Sequence, residues 1–361
     1  MFERIQIVKD VRGDNNLVIN GDLICNEQTL GSFAKVLLEK EIDRLTTEAK
    51  QAMRESMYEC VQRIAEKMVE NHLQEIIKDF STPAVQYAYY TTLKGYSMSE
   101  TYEQREFIVD AFIDRIQKGW NSTEKMILNE VLEIMPSLTP QTLAFLGLFQ
   151  LRHQANPLAL VLNQYFNDLT KLVEQVDSVH DIDIEYLKQK RILLPVVGIK
   201  HIASLEETLL SQYDLFFRHT ISACEYEDYC NKYPEARHAV NFIGPSLCMM
   251  YALDETRENL NFISANSSHL KNKLLESNLD FMIPHVDNLM HRMPAFTKEE
   301  LRNYFIKLSP NWERVFQLFE SESFNTYYLS IVGFYIGGKI LAKVCHRKDM
   351  LSISDYKKTL V

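Results

Sequence analysis

Asp181, Asp183 and Glu185, followed by Lys188, are the residues in this chain that come nearest to a metal-dependent nuclease centre. Such centres set carboxylates on adjacent strands, where two oxygens share a Mg²⁺ ion that activates water and steadies the leaving oxygen. Here the acids alternate with Ile182 and Ile184 over one short stretch that reads as the start of a helix. The helix dipole favours acids at that position, so capping accounts for them without a metal. Cys224 and Cys230, with His219 and His238 nearby, offer zinc-binding atom types. They lack the Cys-x-x-Cys spacing, and core thiols beside surface imidazoles are the plainer reading. His285 and His291 are six residues apart, a spacing that does not put them squarely on one helical face, and Pro284 and Pro294 bracket them. The phosphate loop, dinucleotide fingerprint, nucleophile elbow and His-Glu-x-x-His zinc motif are all absent. No catalytic residue, metal or cofactor is assigned on these grounds.

Two glycines have a clearer reading. Gly333 and Gly337 form a Gly-x-x-x-Gly pair inside the most apolar stretch, residues 327–341. That spacing lets helices approach closely, in lipid or in a protein core. Only about a dozen apolar residues precede Lys339, too few to cross a hydrocarbon core of ~30 Å. Gly333 and Gly337 are therefore expected to serve helix packing inside protein, and a membrane span is not expected. Lys339, Lys343, Arg347 and Lys348 then make the end basic, which complements a helix C-terminus.

The elements that must position these groups are mostly helical. Gly (11) and Pro (10) are scarce among 361 residues, and hydrophobic content is 46% against 24% charged. That balance marks a folded chain and leans away from strand-and-turn architectures. Net charge is −10, the wrong sign for a protein that coats nucleic acid through phosphate neutralisation. The six cysteines at 25, 60, 224, 230, 248 and 345 form no disulfide framework and read as reduced thiols. The opening Met1-Phe2-Glu3-Arg4 lacks a basic and then an apolar segment, so no secretory signal is expected. A cytoplasmic setting follows as an expectation.

The first 28 residues differ from the rest. Leu17, Ile19 and Leu23 flank Asn20-Gly21, the strongest short-range signal for a two-residue hairpin turn. Residues 2–8 read as another short strand. So few strands are not stable alone in water and have free edges. Leu17, Ile19, Asn20, Gly21 and Leu23 are accordingly expected to mediate oligomerisation, with a second copy of the chain as the first partner and another protein as a further one. Residues 29–80 then carry apolar positions every three to five residues without Gly or Pro after Gly31. A continuous helix there would run for roughly 70 Å, which suggests a stalk, a coiled coil or two helices with an unmarked break.

Residues 81–176 read as a helical domain of short-loop helices, with Ser97 or Ser99, Asn121 and Ser137 to Thr139 as caps. Residues 177–361 read as a second helical domain with a small β wing near 191–202. Within it, helices are expected at 204–217, 225–231, 251–279, 297–307, 310–319 and 327–345. The fold class is mainly α: a multi-helix array with a small N-terminal β-hairpin or meander and a long N-terminal helix.

Together these segments resemble an uncharacterised bacterial family of mainly helical proteins of about this length. The resemblance rests on Gly13-Asp14-Asn15-Asn16 and Gly21-Asp22, on the charged helix with Glu48-Ala49-Lys50, on Val85-Gln86-Tyr87-Ala88-Tyr89, and on Leu329-Ser330-Ile331-Val332-Gly333. Similar Gly-Asp-Asn β openings and Leu-Ser/Thr-x-x-Gly helices occur in phage-defence and abortive-infection proteins. The resemblance implies a role in anti-phage defence and assigns no catalytic residue; together with the N-terminal β element, the leading expectation is a non-catalytic, homo-oligomeric sensor or scaffold. The alternatives are a metal-dependent nuclease using the 181–188 stretch and a membrane-perturbing effector using the apolar C-terminal helix.

Overall fold

A computed structural model describes residues 6–8, 18–20, 31, 47–117, 121–152, 162–176, 179–196, 203–239, 250–252, 258–262, 264–321 and 326–345. The described residues are mainly α-helical, with a few short strands. They divide into two compact units, 1–140 and 141–361.

In the first unit, β1 (Gln6–Val8) pairs antiparallel with β2 (Val18–Asn20), with Ile7 opposite Ile19. Next comes α1 (Thr47–Glu70), which buries Met57, Cys60, Val61, Ile64 and Met68. Their spacing of three and four residues puts them on one face. Of the alternatives for residues 29–80, the described part shows a break without Gly or Pro after Glu70. His72 takes the left-handed conformation at φ 55°. Leu73 N–H then bonds to the Met68 carbonyl at 2.8 Å, and His72 N–H to that of Val69 at 3.1 Å. This pair of bonds closes the helix end as a Schellman motif. A tighter helical turn, Gln74–Ser81, follows. The described α1 is 24 residues long, or ~36 Å at 1.5 Å per residue.

α2 (Pro83–Met98) starts on Pro83, whose fixed φ suits a first turn. α3 (Tyr102–Ile116) is capped by Thr101, not by Ser97 or Ser99. Those two serines bond back to the Leu93 and Gly95 carbonyls at 2.9 and 2.8 Å, a use open to Ser inside a helix. α4 (Ser122–Ile134) is capped by Asn121, which exchanges bonds of 3.0 and 2.8 Å with Glu124. The core of this unit includes Phe80, Tyr89 and Phe112, whose ring centroids lie 5.4 to 6.0 Å apart. Beside it, Glu106 accepts from Arg63 Nε at 2.8 Å and pairs with Lys67 at 3.1 Å, tying α1 to α3.

The second unit contains α5 (Pro140–Phe149), α6 (Leu162–Val176) and α7 (Asp181–Gln189). β3 (Leu193–Pro195) finds its antiparallel partner far along the chain, in β7 (Tyr327–Leu329). The β wing expected near 191–202 is thus one strand of a long-range pair over its described part. α8 (Leu205–Gln212) leads to β4 (Ile221–Ser222) and α9 (Ala223–Lys232). β5 (Met250–Ala252) and β6 (Asn259–Phe262) complete an antiparallel sheet of order β4-β6-β5. The helix expected over 251–279 is therefore corrected. Its described part is strand up to Phe262, and α10 (Ser267–Glu276) starts only after Asn266, whose side chain accepts from His269 N–H at 3.0 Å. Asn favours caps over helix interiors because its side chain competes for backbone bonds.

α11 (Ile283–Arg292), α12 (Lys298–Leu308) and α13 (Trp312–Glu320) follow. The last described helix, α14 (Ile331–Val344), begins four residues later than expected because Tyr327–Leu329 is strand and Ser330 is the cap. Phe166 joins α6 to the rest: its ring lies 4.9 Å from Phe305 and 5.8 Å from Phe217. Another apolar cluster, including Ile221, Tyr226, Phe262, Leu274, Val286 and Leu289, draws residues from β4, α9, β6, α10 and α11.

Candidate functional site

The acidic stretch 181–188 lies on α7, where Asp183, Glu185 and Lys188 are already engaged. Asp183 Oδ2 accepts the His180 backbone N–H at 2.9 Å, closing the first turn of the helix. Lys188 donates to Glu185 Oε1 at 2.7 Å. Its ammonium also stands 4.3 Å from the centroid of the Tyr327 ring, a cation–π distance. Glu185 comes first among the causes that hold the Lys188 amine above its ordinary range. Asp181, Asp183 and Glu185 sit on one short helix rather than on neighbouring strands. Among the described residues, no group of three or more His, Cys, Asp or Glu is placed to hold a metal ion.

The cysteine and histidine candidates also separate. Cys224 is exposed in the first turn of α9, whereas Cys230 is buried in the apolar cluster. His219 Nε2 lies 3.2 Å from Glu300, with its ring 5.1 Å from that of Phe296. The side chain of His238 lies outside the described residues. His291 is exposed at the end of α11.

His285 is the exception. It is 8% exposed on the inner face of α11. Its Nδ1 is 2.9 Å from the Tyr229 hydroxyl, and its Nε2 is 3.5 Å from Glu235 Oε1. The Tyr233 ring packs edge-on at 5.6 Å. Arg292 stands 5.2 Å from the Tyr229 ring centroid. Carboxylate, imidazole and hydroxyl in this order can hold a defined proton arrangement. Tyr229 is nonetheless only 2% exposed, and burial, the largest cause, pushes its phenol above the ordinary range. A phenol held protonated inside a core is a poor nucleophile. No sequence signal links His285 to Tyr229 or Glu235, because the three come from separate elements.

Gly333 and Gly337 lie on α14 against α5 and the β3 end. A Cβ on Gly337 would collide with the Leu146 carbonyl oxygen and stand 2.8 Å from Gln150 Cγ. A Cβ on Gly333 would stand 2.8 Å from the Ile192 carbonyl oxygen. The contact is reciprocal, since Gly147 on α5 faces Ile340, where a Cβ would meet Cγ2 at 2.9 Å. Gln150 Nε2 donates to the Phe334 carbonyl at 2.5 Å across the same crossing. Among the described residues, no helix is long and apolar enough to cross a membrane.

Of the residues assigned to oligomerisation, Ile19 and Asn20 lie on β2, and Leu17, Gly21 and Leu23 lie outside the described residues. Among the described strands, β1 and β2 have only each other as partners.

No curated protein and no solved structure matches this chain. A model of a family described only as uncharacterised matches residues 30–355. That is most of the chain, and the protein belongs to this family.

Proposed function

We propose that the protein is a non-catalytic, homo-oligomeric interaction protein, a sensor or scaffold that self-associates through its N-terminal β element. One observation carries the reading. Among the described strands, β1 and β2 pair over three residues each and only with one another, so each has an edge that no described strand covers. A two-stranded ribbon of that size is marginal in water, and an open edge is a template for a further strand. A second copy supplies the same strands in the same proportion, which makes it the natural partner. The engagement of Asp183, Glu185 and Lys188 in capping and pairing adds support from the other side, because it gives those groups a role without catalysis.

The setting we propose is bacterial anti-phage defence in the cytosol. It is supported by the Gly-Asp-Asn opening and the Leu329 to Gly333 segment, which resemble those of defence proteins. The thiols of Cys60 and Cys224 fit a reducing compartment. The test is a plaque assay on bacteria that express the full chain or a chain lacking residues 1–28. Protection by the full chain alone supports both the setting and the role of the β element. Equal plaque counts with and without the full chain defeat the defence reading, and protection by the truncated chain defeats the role of the β element.

A further inference from the structure

We draw no further inference here: the strongest candidate, the buried Tyr229–His285 pair with Glu235 beyond it where α9 meets α11, is a core contact whose hydroxyl and imidazole satisfy each other, and nothing in the structure shows what it would act on.

Discussion

Asp183 is the residue on which the catalytic and structural readings part. As a metal ligand its loss would abolish activity and leave the fold alone. As the group that accepts the His180 N–H, its loss costs stability. Asp183→Ala is expected to destabilise the chain by about 0.3–1.5 kcal/mol, the range for one helix-capping device. Thermal melts would check this, and a melting temperature unchanged from wild type would remove the capping account. The acids of 181–185 were legible as a helix start because their types match the dipole. The break after α1 was not legible. It is made by His72 in a left-handed conformation, a role usually signalled by Gly or Asn. Arg191 and Asn278 also adopt positive φ, and each ends a helix with the same pair of closing bonds. Only Asn278 carries a type that hints at it.

Between elements, two contacts differ in what they tolerate. The α5–α14 crossing has glycine on both sides, but the neighbours are unlike. Gly337 faces backbone at Leu146, which cannot move aside, whereas Gly147 faces side-chain carbons alone, Cγ2 of Ile340 and Cδ1 of Leu172. Gly337→Ala is therefore expected to cost about 1–3 kcal/mol and Gly147→Ala distinctly less, as read from denaturant midpoints. Equal effects would mean that the backbone at Leu146 yields. The close approach was legible from Gly-x-x-x-Gly spacing, while the partner helix was not, since spacing alone names no neighbour.

The α1–α3 contact depends on charge. Burial alone would raise the Glu106 carboxyl, yet Lys67 and Arg63 outweigh it and hold the group below the usual carboxylate range. A depressed folded-state value contributes stability above the unfolded value, and that stability is lost as pH falls through the folded one. Glu106→Gln should cost about 1–3 kcal/mol at neutral pH, because it leaves Arg63 and Lys67 facing an amide. The gap to wild type should shrink on acidification through the carboxylate range. A gap that stays constant down to acid pH would show that the pair is not charge-linked. The sequence shows alternating charges on α1 but not that Arg63 and Lys67 meet one acid on another helix.

For the whole molecule, the mainly α class was legible from scarce Gly and Pro and from helical periodicity over most of the chain. The strand at Leu193–Pro195 was legible from the β-branched residues around it, but its distant partner was not. Residues 251–252 and 259–262 read as helix, and β7 read as the start of α14. β7 pairs with the distant β3, and β6 pairs with β4 as well as with the neighbouring β5, and such pairing leaves no mark in the residues themselves. The central claim is self-association through residues 1–28, and the direct measurement is solution mass by light scattering, with helical circular dichroism alongside. The full chain is expected at a multiple of 42.2 kDa, and the chain lacking residues 1–28 at a lower mass with its helical signal nearly intact. A full-length mass of one chain, or a truncated chain that keeps the full-length stoichiometry, would contradict the account.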